Sequence, residues 1–172
     1  MKIKNDKLFF IVQSFLKYNS FGFGVKLRTF FYRPFFKRLG KNVQIKDGVT
    51  FKYPSEIELG NHCKIGEFSY FVGKAGLKIG NKFLMGAGSK IITSSHNFEN
   101  TDIAIFEQGL DFEPIEIGND VWLGFDVKIF GNSKIGNGVV LGANTIVKSM
   151  EIADYSVAVG SPAKIIRSRR TQ

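Results

Sequence analysis

Residues Ile117 to Ala163, which carry the clearest pattern of the chain, read IGNDVWLGFDVKIFGNSKIGNGVVLGANTIVKSMEIADYSVAVGSPA. When it is divided into blocks of six residues, an aliphatic or small residue opens every block, at positions 117, 123, 129, 135, 141, 147, 153 and 159. A period of six is typical of a parallel β-helix, whereas ordinary strands alternate every two residues and amphipathic helices repeat every 3.6. Each block therefore predicts one short strand of a solenoid.

A longer period indicates how many strands form one coil. A tripeptide of Ile or Leu followed by Gly and Asn begins at positions 59, 79, 117 and 135, so its spacings are 20, 38 and 18 residues. Eighteen residues are three blocks, which predicts a three-sided prism, and the spacing of 20 predicts a two-residue insertion near Gly73–Gly76. The spacing of 38 predicts one coil and a long loop inserted after residue 96, because residues 97–114 contain no six-residue column.

The predicted architecture is all-β, and its repeats cover most of the chain. The regular coils are expected at residues 59–76, 79–96, 117–134, 135–152 and 153–165, after a less regular first coil built from apolar residues between 43 and 57. The Gly and Asn of each tripeptide are expected at corners, because these residues adopt a positive φ at little cost. A loop longer than about 12 residues in a compact domain is usually functional.

The bulk composition is that of an ordinary globular protein. The 172 residues are enough for one domain with a real core, and 44% of them are hydrophobic. No apolar run approaches the roughly 20 residues that span a bilayer. The single Cys63 cannot form an internal disulfide and falls in a small-residue column of the core, which favours a reducing compartment. We therefore expect a cytoplasmic protein, with association at the inner face of the membrane left open.

The positive charge is confined to an N-terminal segment, residues 1–41, which we separate from a repeat domain of residues 42–172. The segment holds ten Lys or Arg against the single acid Asp6, whereas the repeat domain holds fourteen basic and fourteen acidic residues. Half of the eighteen Phe also lie in the segment, and Leu8, Ile11 and Phe15 are spaced for one face of a helix. A second short helix is expected before Pro34. The segment is interpreted as a cap on the open end of the solenoid or as a peripheral contact with a membrane; nucleic acid is not expected, because no recognised binding motif accompanies the charge.

Several motifs within residues 40–168 add a chemical signal to the repeat. They are Ser95-His96 before the long loop, Pro114–Gly118 (PIEIG), Val121–Gly124 (VWLG), Leu141–Ala143 (LGA) and Gly160–Lys164 (GSPAK). With these motifs the chain resembles the hexapeptide-repeat acyltransferases, and in particular the maltose, galactoside and capsular-polysaccharide O-acetyltransferases. The resemblance implies a left-handed parallel β-helix, a homotrimer whose active sites are shared between adjacent subunits, and acetyl-CoA as the acyl donor.

The resemblance also assigns roles to individual residues. It implies that His96 is the general base that accepts the proton of an acceptor hydroxyl, a task for which imidazole is suited. It implies a site for acetyl-CoA formed by Trp122, Gly124, Gly142, Ala143, Lys148, Lys164 and Arg167. The glycines and Ala143 are equally explained as corners of the repeat, and the basic residues as a solvated tail. Asn97 follows the His where these families often have Asp or Pro, so the group that orients the imidazole is left open.

The acceptor implied by the resemblance is a carbohydrate, from a capsular or surface polysaccharide or its precursor. Asn97, Asp102 and Trp122 are its candidate contacts, and the apolar residues of the loop are expected to pack on a neighbouring subunit or to cover the groove. No metal is expected, because the two His residues cannot supply the three His ligands of a zinc site like that of the γ-carbonic anhydrases. The alternatives are an N-acyltransferase of an amino sugar and a non-catalytic scaffold that docks a membrane or a partner.

Overall fold

The computed structural model describes residues 2–20 and 22–170, and these form two short helices followed by six coils of a parallel β-helix. The helices are α1 (Asp6–Leu16) and α2 (Gly24–Tyr32). α1 begins after Asn5, whose side-chain oxygen accepts a hydrogen bond from the backbone N–H of Leu8 at 2.9 Å and so caps the first turn. Phe21, one of the phenylalanines of the N-terminal segment, lies outside the described residues.

Each of the first five coils contributes three short strands. In chain order the strands are β1 (Arg38–Leu39), β2 (Gln44–Ile45) and β3 (Thr50–Lys52), then β4 (Ile57–Leu59), β5 (Lys64–Ile65) and β6 (Tyr70–Val72), then β7 (Leu77–Ile79), β8 (Leu84–Met85) and β9 (Lys90–Ile92). A hairpin of β10 (Ser94–His96) and β11 (Leu110–Phe112) follows.

The last three coils contain β12 (Ile115–Ile117), β13 (Trp122–Leu123), β14 (Lys128–Phe130), β15 (Ser133–Ile135), β16 (Val140–Leu141), β17 (Ile146–Val147), β18 (Glu151–Ile152) and β19 (Ser156–Val159). The last strand of the described chain is β20 (Lys164–Ser168).

The coils stack into three parallel sheets that enclose an apolar core. Sheet A contains β1, β4, β7, β12, β15 and β18, sheet B contains β2, β5, β8, β13, β16 and β19, and sheet C contains β3, β6, β9, β14 and β17. The predicted coil length is confirmed, because Ile79 pairs with Leu59 on one side and with Ile117 on the other, and Ile117 pairs with Ile135. The two-residue insertion is also confirmed, since residues 73–76 join β6 to β7 where residues 131–132 join β14 to β15.

The Gly-Asn pairs form the corners between sheets A and B, but the expected positive φ at these residues was wrong. The positive φ falls on the residue that follows each pair, at His62, Lys82, Asp120 and Gly138, and on Asn42 and Tyr155 at the same corner of the first and last coils. Gly is needed for close approach of the coils, because a Cβ on Gly60 would lie 2.4 Å from the carbonyl oxygen of Gly80. The Asn side chains form a ladder, in which each Oδ1 accepts a hydrogen bond from the backbone N–H at the equivalent position of the preceding coil. For example, Oδ1 of Asn81 accepts from the N–H of Asn61 at 2.8 Å.

The six-residue column ends at Val147, one coil earlier than predicted. Ile135 pairs with Ile152, and Leu141 pairs with Ala158, so each of these steps is 17 residues. Ile152 and Ala158 are buried, whereas Ala153 and Val159, which continue the column in the sequence, are exposed. A shift of one residue turns each side chain to the opposite face of a strand. The predicted phase of the last coil was therefore wrong, and the shift brings the larger Ile152 into the core.

Helix α1 turns toward the first coil a face other than the one that its apolar spacing indicated. Leu8, Ile11 and Phe15 are exposed, whereas Phe9 and Gln13 are buried. The ring of Phe9 packs at 5.1–6.2 Å, between ring centres, from those of Tyr32, Phe35 and Phe36. The apolar interior of this segment is therefore built from Phe9 and from residues at and beyond the end of α2.

Polar side chains of the same segment pair with the backbone of the first coil, which no other coil precedes in the described chain. The amide of Gln13 accepts from the N–H of Phe51 at 2.7 Å and donates to its carbonyl oxygen at 3.3 Å. Arg28, which is fully buried, donates to the carbonyl oxygen of Ile45 at 2.8 Å, and Arg33 donates to that of Leu39 at 2.6 Å. These contacts reach all three sheets, while β1 of sheet A already begins at Arg38. The division of the chain at residue 41 stays a prediction.

The loop predicted after residue 96 is confirmed, and its base is a β-hairpin. We name residues 94–112 the hairpin arm, in which β10 and β11 pair antiparallel and a short 3₁₀ turn, Ile105–Glu107, lies near the tip.

The C-terminal residues form a second antiparallel hairpin, because β20 folds back along β19 at the edge of sheet B. The sequence was interpreted there as coil and tail, so this hairpin was missed. Among the described residues, no helix has the length and apolar content needed to cross a membrane.

Candidate active site

His96 lies on the hairpin arm, three residues beyond its attachment to the prism. The attachment is Thr93, a buried residue whose hydroxyl donates to the carbonyl oxygen of Val72 at 2.9 Å and accepts from the N–H of Ala75 at 3.1 Å. His96 itself pairs with Leu110 across the hairpin and is exposed. Within residues 2–20 and 22–170 its ring makes no hydrogen bond, so both nitrogens face solvent or a further molecule.

The polar residues around His96 hold the arm together. Asn97 donates through Nδ2 to the carbonyl oxygen of Gln108 at 3.2 Å, and its own N–H bonds the carbonyl oxygen of Gly109. The side chain of Gln108 in turn donates to the carbonyl oxygens of Asn100 and Ile103, both at 2.7 Å. Asn97 is therefore engaged inside the arm and does not orient the imidazole in this chain. Asp102 lies on the exposed tip, where its N–H is bound by the side chain of Asn100.

Trp122 lies on the outer surface of sheet B and is half exposed, at 50%. It borders a groove of about 460 Å³ between sheet B and β20, which we name the sheet B groove. The groove is lined by Lys82, Leu84, Asp120, Val121, Trp122, Val140, Val157, Arg167 and Arg169. Arg169 is held there by Asp120 at 3.3 Å and by the carbonyl oxygen of Gly138 at 2.7 Å. Three basic side chains against one carboxylate make this groove suitable for an anionic group.

Gly124, Gly142 and Ala143 lie at the corner between sheets B and C, where the coils approach one another closely. A Cβ on Gly124 would lie 2.7 Å from the backbone nitrogen of Ala143, and one on Gly142 would lie 2.8 Å from the side chain of Val159. The stacking of coils alone therefore explains both glycines. Ala143 is exposed at this corner, so a ligand could reach its backbone.

Two of the three predicted phosphate contacts, Lys164 and Arg167, lie on β20, and the third, Lys148, lies elsewhere. Lys164 begins β20 and pairs with Val159, while Arg167 pairs with Val157 and borders the sheet B groove. Lys148 instead follows β17 in sheet C. All three are exposed. Lys164 and Arg167 thus share one side of the prism, and Lys148 lies on another.

The predicted residues form two groups on opposite sides of one chain. The hairpin arm leaves the end of β9 in sheet C and returns to β12 in sheet A, so it projects from the corner between those sheets. In a three-sided prism that corner lies opposite sheet B, which carries Trp122. None of the hydrogen bonds and ring contacts among the described residues joins the arm to sheet B. His96 and Trp122 could therefore share one site only if a second copy of the chain were present.

The arm also exposes apolar side chains that a second copy could cover. Phe106 at the tip is 93% exposed, and Phe98, Ile105, Leu110 and Phe112 are exposed as well. Large apolar groups on a projecting arm are typical of surfaces that contact another protein.

One charged cluster near the proposed site was not predicted from the sequence. Asp126, at the corner between sheets B and C, accepts hydrogen bonds from Lys128 at 2.7 Å and from Lys90 at 2.8 Å. These two lysines hold the pKa of the Asp126 carboxyl below its usual range. Lys90 and Asp126 are separated by 36 residues of sequence, so only the stacking of β9 under β14 brings them together.

The described residues offer neither a metal site nor an accessible thiol. In the described ranges, no group of three His, Cys, Asp or Glu side chains is arranged to hold a metal ion. Cys63 is fully buried, which raises the pKa of its thiol, and it belongs to the core as its column predicted. His62 forms a corner, with Nδ1 at 3.4 Å from the side-chain nitrogen of Asn42.

Comparisons with known proteins identify relatives of this chain. The sequence profile of the family described as "Bacterial transferase hexapeptide (six repeats)" matches residues 114–149. A protein of Mycobacterium tuberculosis that is named as a probable acetyltransferase is 31% identical over 133 residues, which is 77% of this chain and 44% of the relative. This chain thus spans less than half the length of that relative.

A second relative and a solved structure are covered more fully. WcaF of Escherichia coli, named as an acetyltransferase of colanic acid biosynthesis, is 32% identical over 142 residues, or 83% of this chain and 75% of WcaF. The structure of a galactoside acetyltransferase in complex with coenzyme A superposes with a TM-score of 0.84 at 25% identity, covering 95% of this chain and 80% of that one.

Proposed function

The chain belongs to the hexapeptide-repeat acetyltransferase family, and from that premise we propose that it transfers the acetyl group of acetyl-CoA to a sugar hydroxyl. The proposed acceptor is a bacterial capsular or surface polysaccharide or its precursor. WcaF is named for the biosynthesis of such a polymer, and the galactoside acetyltransferase acts on a sugar and was solved with coenzyme A. The observation that carries the proposal is the exposed imidazole of His96, without a hydrogen-bond partner in the described chain, on an arm that leaves the regular stack.

In the proposed reaction His96 is the general base. A neutral ring nitrogen accepts the proton of the sugar hydroxyl while the hydroxyl oxygen attacks the carbonyl carbon of the thioester. The tetrahedral intermediate then collapses with cleavage of the carbon–sulfur bond, and the imidazolium returns the proton to the departing thiolate. The products are the acetylated sugar and CoA, and no acyl-enzyme forms.

The proposed donor site follows the corner between sheets B and C and the neighbouring sheet B groove. Trp122 supplies an apolar wall for the thioester arm or the acceptor, and the backbone of the exposed Ala143 and the partly buried Gly142 approaches the pantetheine chain. Lys164 and Arg167 neutralise phosphate groups of CoA from one side of the groove. Gly124 is required for the close stacking of the coils. Lys148, which follows β17 of sheet C, stays a predicted phosphate contact.

We propose that the complete active site forms between two copies in a closed trimer. His96 and Trp122 lie on opposite sides of a chain, so a rotation that brings the arm of one copy against sheet B of the next joins them. A threefold rotation closes such a head-to-tail contact into a ring with three equivalent sites. The apolar residues of the arm and the exposed Leu84, Trp122 and Phe125 are then removed from water together. In this arrangement Asn97 and Asp102 face the acceptor from the arm.

The first test measures free thiol released from acetyl-CoA with a panel of sugars, amino sugars and polysaccharide fragments. We expect His96→Ala to lower kcat/KM by about 10²–10⁴-fold, the range typical of a general base. The matched control is His62→Asn, because His62 occupies a corner at positive φ that Asn also adopts at Asn42 and Asn144. Full activity in His96→Ala would contradict the mechanism. Transfer only to amino sugars would indicate an N-acyltransferase, and the absence of both turnover and CoA binding would indicate a scaffold.

The second test asks whether the site is shared. Two inactive variants, His96→Ala and Trp122→Ala, are unfolded together, mixed in equal amounts and refolded. In a shared site His96 comes from one chain and Trp122 from its neighbour, so random assembly restores about a quarter of the wild-type sites. Each variant refolded alone is the control. If the mixture stays as inactive as the separate variants, the site does not form between two copies.

A further inference from the structure

The outer faces of α1 and α2 carry a surface that neither the fold nor the proposed reaction uses. We name this surface the outer helical face, and it consists of Leu8, Phe10, Ile11, Phe15, Tyr18, Phe30 and Phe31 together with Lys4, Lys7 and Lys26. Phe15 is 82% exposed, Phe30 is 71% exposed and Phe10 is 66% exposed. Most phenylalanines of a soluble domain are buried, so a cluster of this kind requires an explanation.

The side chains of the outer helical face are not the ones that cover the first coil. That coil is contacted by the opposite sides of both helices, through Gln13 of α1 and through Arg28 and Thr29 of α2. The apolar contacts of the same layer come from Phe9, Tyr32 and Phe36. Phe10, Phe15 and Phe30 project from the other side of their helices and could be polar without exposing the core.

The charges on this surface restrict what could cover it. On the helical wheel of α1, Lys7 lies on the same outward side as Ile11 and Phe15, and on α2 Lys26 lies beside Phe30. Lys4 lies just before the residue that caps α1. All three lysines are exposed, and the segment of residues 1–41 has ten basic side chains and one acid. Packing two such segments against one another would bring like charges together. A partner surface with negative charge is therefore favoured over a second copy of the chain.

We propose that the outer helical face binds the surface of an anionic lipid bilayer. Helices that lie in a membrane interface combine exposed aromatic and aliphatic residues with lysines, and each lysine near anionic headgroups contributes about 1 kcal/mol, or roughly a fivefold change in affinity. Phenylalanine side chains enter the boundary between headgroups and acyl chains, where their transfer from water is favourable. The contact would hold the first coil at the membrane, and it does not depend on the reaction proposed for His96.

The test is cosedimentation of the full chain with vesicles. We expect binding to vesicles of phosphatidylcholine and phosphatidylglycerol, binding at least about tenfold weaker to phosphatidylcholine alone, and a loss of binding between about 0.05 M and about 0.5 M salt. The triple variant Lys4→Gln, Lys7→Gln, Lys26→Gln should bind about a hundredfold more weakly, as three contributions of about fivefold multiply. Phe10→Ser with Phe15→Ser should weaken binding by at least about tenfold through lost apolar burial.

Matched variants separate this surface from general effects of charge and hydrophobicity. Lys134→Gln on sheet A and Ile166→Ser on β20 remove an exposed charge and an exposed apolar group elsewhere, and both should bind vesicles as the wild type does. Thiol release with a soluble acceptor should be unchanged in the helix variants, so a folding defect would be detected. The proposal is wrong if anionic vesicles do not bind the chain or if the control variants lose binding equally. It is also wrong if Phe10→Ser with Phe15→Ser changes the oligomeric state without lipid, because a second copy would then cover the face.

Discussion

The stacked coils and the hairpin arm are made from adjacent parts of one chain but meet different constraints. In the stack the short strands of each coil pair with those of the neighbouring coils, and a corner glycine such as Gly60 approaches the next coil so closely that a Cβ would meet backbone. In the arm the pairing is confined to β10 and β11, and most side chains are exposed. Contacts within the chain therefore restrict which residues the stack accepts. The side chains of the arm are instead available for contacts with other molecules.

The largest expected effect contrasts a glycine of the stack with one of the arm. Gly60→Ala would place a Cβ 2.4 Å from the carbonyl oxygen of Gly80, and we expect it to lower the free energy of unfolding by about 3 kcal/mol or more. Gly109→Ala meets no atom within 4 Å and carries only the cost of its positive φ, about 1 kcal/mol. Denaturant unfolding of both variants measures the contrast. Equal losses would mean that close approach of coils does not limit the corners.

The next effect concerns the point where the arm meets the stack. Thr93→Val keeps the shape of the side chain but removes the hydroxyl that bonds Val72 and Ala75, so we expect a loss of about 1–3 kcal/mol in stability. A looser attachment should also lower kcat for the reaction that we assign to His96. Ser133→Ala is the control, because it removes another buried hydroxyl, bonded to Phe130, that does not hold the arm. If both variants lose stability and activity alike, Thr93 has no special role in positioning the arm.

A smaller effect, on assembly of the chain, distinguishes the hairpin arm from the outer helical face. Phe106→Ser at the tip of the arm should leave the unfolding of an isolated chain unchanged but weaken assembly by about 1–2 kcal/mol, since its ring is proposed to lie against a neighbour. Phe10→Ser on α1 should leave assembly unchanged. Sedimentation over a range of protein concentrations measures both. Assembly that depends on Phe10 and not on Phe106 would reverse the roles that we assign to the two surfaces.

The smallest expected effect is a pH dependence of the stack. Lys128 and Lys90 lower the pKa of the Asp126 carboxyl in the folded chain, so its contribution to stability is present above the unfolded pKa of about 3.9. That contribution is lost as the pH falls through the lower, folded pKa. Asp126→Asn should therefore flatten the decline of stability below about pH 4, by less than about 1 kcal/mol because the pair is exposed. An unchanged acid profile in the variant would contradict this contribution.

Much of the stack could be predicted because its rule is local. In a regular coil one short flat strand and the corner after it together take six residues, so the same inward position returns every six residues. The coil length then follows from Ile79, Ile117 and Ile135. The extra residues near Gly73 and the arm after His96 were visible as departures from that period. Glu151 interrupts the column of small residues and so predicts an irregular face after Val147. The one-residue shift itself was not visible, since Ala153 and Val159 are also acceptable residues for an inward position and only packing selects Ile152 and Ala158.

The repeat and its interruption could be predicted from the sequence alone because both depend on spacing along the chain, and the candidates for chemistry came from motifs that resemble those of a known family. Which helix faces turn inward and which candidates share a side of the prism depends on packing between distant segments. Apolar spacing favoured Leu8, Ile11 and Phe15, but the end of the first coil offers backbone groups that would otherwise lack partners, so Gln13 and Arg28 turn inward instead. The separation of His96 from Trp122 likewise depends on the closure of three sheets around one core, which no local pattern encodes.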